Sequence, residues 1–170
     1  MMDRLHGDGA LVQFSERLTN SQAFGTLFRE GMDLVEETAA YLDGNGRAEA
    51  KALDRAVSLT YATESMRLTT RLMQLASWLL LHRAVKEGEM TLTQANREKT
   101  KVKLSAADPG PPDMIEKLPA QLQDLIARSM SLQSRVRRLD TTIHAPPAER
   151  TAIGNPLVPQ LNRLKAAFEQ

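Results

Sequence analysis

A chain of 170 residues with 22 Lys and Arg against 21 Asp and Glu carries a formal net charge of +1, which supplies little of the long-range attraction that nucleic-acid binding exploits. It has no cysteine; this excludes thiolate zinc sites, iron–sulfur clusters and cysteine nucleophiles, and the length is that of one domain whose core needs neither disulfide nor metal. The most apolar window, LMQLASWLLL at 72–81, is bracketed by Arg71 and His82-Arg83, well short of the roughly 20 apolar residues that a membrane helix needs.

The first twenty residues, MMDRLHGDGALVQFSERLTN, lack an apolar h-region and carry Asp3, Asp8 and Glu16, so they are not read as a signal peptide. They are expected to be a flexible N-terminal segment, and the protein to be cytoplasmic. Beyond them Gly and Pro fall almost entirely between apolar-periodic segments, and no run shows strand-like alternation. The fold is expected to be all-α, with a helical domain over 21–143. Asn20 or Ser21 caps a first helix to about Leu42, in which Phe24, Leu27, Phe28, Gly31, Leu34, Val35, Thr38 and Leu42 recur at steps of three and four. Asp43-Gly44-Asn45-Gly46 stops it, with a left-handed C-cap expected there.

From Arg47 to Glu87 there is neither Pro nor Gly, which predicts one very long central helix of roughly 60 Å at about 1.5 Å per residue, ended by Gly88. A short extra helix follows from a Thr91-x-x-Gln94 capping box, and Asp108-Pro-Gly-Pro-Pro112 is a linker. The last long helix, starting near Asp113 or Pro119, carries a heptad seam of Leu118, Leu122, Leu125, Ser129, Leu132, Val136, Leu139 and Ile143, with Ser129 its one polar member. Residues 144–170 hold four prolines and are read as a flexible C-terminal tail. Within that tail Leu157, Leu161, Leu164 and Phe168, with Val158 beside them, form an apolar stripe suited to docking.

Winding the central helix at about 100° per residue places Leu68, Leu72, Leu75 and Leu79 on one line and Leu59, Ala62, Met66, Met73, Ala76 and Leu80 on another. Both need cover, so the helix is expected inside a bundle. The same wheel puts Trp78 in a polar sector with Glu64, Arg67, Arg71, Gln74 and His82. Two readings are open for Trp78. Either the N-terminal segment or the short extra helix folds over it, or Trp78, Arg71, Gln74, His82 and Arg67 form a partner or dimer interface, where Trp and Arg are enriched as anchors. The length of the central helix relative to its neighbours leaves a flank uncovered and favours a homodimer.

Three histidines, His6, His82 and His144, suggest neither a metal site nor a catalytic triad. DGNGR at 43–47 begins like a calcium loop and then fails at Arg47 and Ala48, where an oxygen ligand and Gly are required. His82 with Lys86 and Gly88 superficially matches a histidine phosphotransfer helix, an alternative function, although both spacings are longer than that pattern has. Glu30, Asp33 and Glu37 form an acidic face with which Arg67 and Arg71 can pair, and Arg97–Lys103 is locally basic; charge runs of this kind are usually solvated faces. With no paired buried carboxylates, Gly-rich phosphate loop or nucleophile elbow, neither an enzyme nor a cofactor is expected.

Two stretches carry a resemblance: FREGMDLVEETAAYLDGNGR at 28–47 and YATESMRLTTRLMQLASWLLLHRAVKEGEMT at 61–91. They are similar to the regulator of CtrA degradation (RcdA) family of alphaproteobacteria, closely over residues 21–100 and more loosely through the heptad helix. The resemblance implies a three-helix bundle that dimerises and acts as a protease adaptor. Its partners would be ClpX of the ClpXP protease after priming by CpdR, a PopA-like adaptor that binds cyclic di-GMP, and client transcription factors such as CtrA. It also fits a cytoplasmic protein recruited to a cell pole.

Overall fold

A computed structural model describes residues 7–99, 110–144 and 163, with side chains over 21–98 and 110–143. The elements in chain order are α1 (Gly7–Asp43), α2 (Asn45–Lys51), α3 (Arg55–Lys86), α4 (Leu92–Lys99), α5 (Pro112–Ile115) and α6 (Ala120–His144). No strand occurs among the described residues, so the protein is an all-α helical bundle, as its sequence predicts. The tail stripe of Leu157, Val158, Leu161, Leu164 and Phe168 lies outside the described residues, as does most of the basic run after Glu98.

Helical backbone begins at Gly7, upstream of the cap expected at Asn20 or Ser21. No Gly or Pro interrupts ALVQFSERLTN, and extending a helix by one residue is far easier than nucleating a new one. The inward line of α1 is Phe24, Leu27, Gly31, Leu34, Thr38 and Tyr41, all buried. Asp43-Gly44-Asn45-Gly46 interrupts the path without a left-handed cap: Gly44 has φ −113° and α2 resumes at Asn45. Gly46 serves close approach, since a Cβ there would lie 2.7 Å from the Tyr41 carbonyl oxygen and 2.6 Å from the Tyr61 hydroxyl. Beside it the buried Tyr41 hydroxyl donates to Glu49 Oε2 at 2.7 Å. Burial first, and that carboxylate second, push Tyr41 well above the usual phenol range.

The single helix expected over 47–87 is broken. Asp54 is the N-cap of α3, its carboxylate accepting from the Val57 N–H at 3.0 Å. Such a cap satisfies an orphan donor and is worth about 1 kcal/mol, which favours a fresh start over an uninterrupted run. With α3 at 32 residues and α1 at 37, α3 does not outrun its neighbour, and the argument for an uncovered flank from length falls away.

Other boundaries are where the sequence places them. Gly88 has φ +76°, its N–H donates to the Val85 carbonyl at 3.1 Å and the Glu89 N–H to that of Ala84 at 2.9 Å, the paired bonds of a Schellman termination. Thr91 and Gln94 exchange bonds of 3.0 and 3.1 Å ahead of α4. Leu118, Leu122, Leu125, Ser129, Leu132 and Val136 are all buried, so the seam leading into and along α6 is real. The chain divides into two units, 1–133 and 134–170, the division falling within α6. In the first, α3 lies against α1, α2, α4 and α5. The second contains the rest of α6, where the Thr141 and Thr142 hydroxyls donate to the Arg137 and Arg138 carbonyls.

Candidate interaction surface

Two lines along α3 repeat every seven residues and have opposite fates. Glu64, Arg71 and Trp78 are buried, at 2%, 1% and 1% exposure, whereas Leu59, Met66, Met73 and Leu80 are 72%, 73%, 66% and 52% exposed. The expected core line of Leu68, Leu72, Leu75 and Leu79 is buried. The polar sector therefore faces inward beside it, and the second apolar line faces out.

Each buried polar group is held by its own subunit. Arg71 Nη1 donates to Ser129 Oγ of α6 at 2.9 Å, and that hydroxyl donates on to the Ile126 carbonyl at 2.7 Å. Glu64 Oε1 accepts from Arg67 Nη1 at 2.6 Å and from the Gly110 N–H at 3.1 Å, which fixes the end of the Pro-rich linker against α3. These contacts are what allow charge inside, because a buried charge without partners costs several kcal/mol. The long apolar stem of Arg and the large indole also bring packing area with them.

The expected interface residues are placed accordingly. Trp78 stacks on His82, ring centroids 3.9 Å and planes 20° apart, and Phe24 of α1 lies 6.3 Å away at 50°. Lys86 Nζ sits 5.5 Å over the Phe24 ring and donates to the Ser21 carbonyl at 3.1 Å, while Arg83 lies 4.8 Å over Phe28. The cover over Trp78 thus includes α1 itself, in place of the N-terminal segment or the short helix expected there. Trp78, Arg71 and His82 do not form a surface; Gln74 and Arg67 are half-buried at its edge. His82 is 6% exposed, its Nδ1 3.0 Å from the Trp78 carbonyl oxygen, and Nε2 is buried as well. A phosphotransfer histidine must present a ring nitrogen to its partner, so that alternative is not supported.

Glu30, Asp33 and Glu37 are exposed on α1 as expected, but Arg67 and Arg71 are engaged elsewhere. Glu37 pairs with Arg128 of α6 at 2.7 Å, and Arg128 also reaches Asp124 at 3.3 Å. The Arg128 guanidinium holds the Glu37 carboxyl below the usual carboxylate range. No group of three or more His, Asp or Glu able to hold a metal ion occurs among the described residues, and no helix there is long and apolar enough to cross a membrane.

Sequence comparison matches residues 15–168 to a family described as Protein of unknown function (DUF1465). Among solved structures, the crystal structure of RcdA from Caulobacter crescentus CB15 shares 50% identity at a TM-score of 0.60, covering 72% of this chain and 92% of that one. The chain belongs to the RcdA family. No curated protein sequence matches it. Within this RcdA-family chain the residues singled out by chemical character, Trp78, His82, Arg71 and Glu64, are packing residues, and α3 presents its Leu and Met to the outside.

Proposed function

We propose that this RcdA-family chain is a non-enzymatic adaptor that helps the ClpXP protease degrade cell-cycle regulators such as CtrA, by tethering clients or further adaptors. The single observation that carries the reading is the 50% identity to RcdA over 92% of that chain. It is supported by where the chemistry lies: the titratable groups that a catalytic or phosphotransfer role would need are engaged in holding α1, α3 and α6 together.

In this reading the protein works in the cytoplasm as a homodimer, recruited to a cell pole, and binds ClpX primed by CpdR on one side and a PopA-like cyclic di-GMP-binding adaptor on another. The acidic face of Glu30, Asp33 and Glu37 is one surface available for such a partner. The apolar stripe of the tail is a second, its Leu157, Leu161, Leu164 and Phe168 at helical spacing folding on a groove of the partner. The test is reconstituted degradation. CtrA is incubated with ClpXP, CpdR and the PopA-like adaptor with cyclic di-GMP, with and without this protein, and its half-life is followed. Acceleration by the full chain, lost on truncation after His144 with an unchanged melting temperature, is the expected result. An unchanged CtrA half-life refutes the adaptor role.

A further inference from the structure

The exposed line of α3 is uncharged and nearly palindromic. Read from Leu59 it runs Leu59, Met66, Met73, Leu80, with Ala62 and Thr63, Thr69 and Thr70, and Ala76 and Ser77 between. Its midpoint falls between Thr69 and Thr70. Reversing the direction exchanges Leu59 with Leu80, Met66 with Met73, Ala62 with Ser77 and Thr63 with Ala76. Wound at about 100° per residue, the four large side chains fall within about 30° of one line through that midpoint.

The hydroxyls along the strip are already satisfied within the helix. Thr60 donates to the Ala56 carbonyl at 3.3 Å, Thr63 to Leu59 at 3.0 Å, Thr69 to Ser65 at 2.9 Å and Ser77 to Met73 at 2.9 Å. Removing water from such a surface leaves no donor stranded, which is the usual obstacle to burying Thr and Ser. The face thus presents methyl groups, thioethers and isobutyl groups over roughly 30 Å, about the width of a small domain, where a solvated helix face ordinarily carries charge. The small residues between the four large ones let a second helix approach closely.

We propose that this strip is the contact between two copies of the chain, their α3 helices antiparallel about a two-fold axis passing between Thr69 and Thr70. Only another copy supplies the same order reversed, and a two-fold interface requires this kind of self-complementarity. The absence of charge along the strip lets two identical faces meet without repulsion. Leu59 of one copy then lies at the end of the strip occupied by Leu80 of the other, and Met66 at the level of Met73. This deepens the homodimer of the preceding reading by giving it a face and a direction.

The lack of native cysteine makes the test direct. Thr70→Cys is expected to form a disulfide-linked dimer under mild oxidation. Leu59→Cys is expected to link only when mixed with Leu80→Cys, since the two copies of residue 59 stand roughly 30 Å apart in this arrangement. Met66→Asp with Met73→Asp is expected to weaken the dimer at least about 30-fold in sedimentation velocity, while helix content and melting temperature stay unchanged, both side chains being mostly exposed. Self-linking of Leu59→Cys overturns the antiparallel arrangement. A dimer undisturbed by the double Asp variant overturns the face, and a monomeric wild type overturns the contact altogether, including the case in which the strip becomes accessible only after the tail is removed. CtrA degradation measured on the same double variant separates the two proposals: acceleration with a lost dimer retains the adaptor and the contact, and no acceleration even by a dimeric wild type removes the adaptor alone.

Discussion

Ser129→Ala is the substitution whose sign is most informative. Ala is a better helix former than Ser by roughly 0.5 kcal/mol, and Ser129 sits fully buried in an otherwise apolar seam. On propensity and hydrophobicity the change should stabilise the protein. The structure predicts the reverse, because Ser129 Oγ accepts from the buried Arg71 guanidinium at 2.9 Å. A hydrogen bond to a charged group contributes about 1.5–3 kcal/mol, and losing that acceptor desolvates part of the cation without compensation. The expected net loss is about 1–2.5 kcal/mol after the helix gain is subtracted. Urea unfolding followed by circular dichroism measures it, as a lower midpoint at unchanged slope. Arg71→Met completes the cycle. With the cation gone, Ser129→Ala should cost nothing or stabilise slightly, and the double variant should recover stability, as when buried ion pairs are replaced by apolar side chains. If Ser129→Ala matches or exceeds the wild type, or loses the same amount with and without Arg71, the Arg71–Ser129 bond is not what holds α3 to α6.

Trp78→Ala should lower stability by about 3–5 kcal/mol, seen as a large drop in melting temperature already in dilute protein, because the indole is filled in by Phe24 and His82 of the same subunit. A change confined to the dimer constant would contradict that. Gly46→Ala is expected to destabilise by about 1–3 kcal/mol despite improving helix propensity, since its Cβ meets the Tyr41 backbone oxygen; a neutral result in thermal unfolding would show that α2 can move away. Glu37→Gln tests a partly exposed pair and should cost under about 1 kcal/mol at neutral pH. The folded Glu37 carboxyl titrates below its unfolded value, so its contribution is complete above the ordinary carboxylate range and is lost as pH falls through the lowered folded value. The wild type and the Gln variant should therefore converge in stability in acid, and a gap that persists there would assign the effect to something other than ionisation.

The helical class, the core lines of α1 and α6, the Gly88 stop and the Thr91–Gln94 box were all legible, because each depends on neighbours within a few residues. The break at Leu53-Asp54 was also written locally: Asp is a strong N-cap and Val57 lies three residues on, but the absence of Pro and Gly outweighed that cue. The orientation of α3 was not legible in the same way. A wheel shows which residues share a face without saying which face is covered, and the ordinary assumption that Arg, Glu and His face water selected the wrong one. What reversed it is tertiary: Ser129 lies in another helix, and Gly110 beyond an intervening segment, each far along the chain from the α3 residue it contacts.

Since α3 offers apolar side chains on both flanks, burial of hydrocarbon alone discriminates poorly between two rotations of this helix about its axis. The Arg71–Ser129 and Glu64–Gly110 bonds do discriminate, because a half-turn would strand both charges and leave Ser129 facing a methionine. Their contribution to net stability can be modest while their contribution to uniqueness is large. The polar side chains inside this bundle thus act as a key for rotational setting. By keeping the helix from turning over, they determine that the Leu and Met strip remains on the outside.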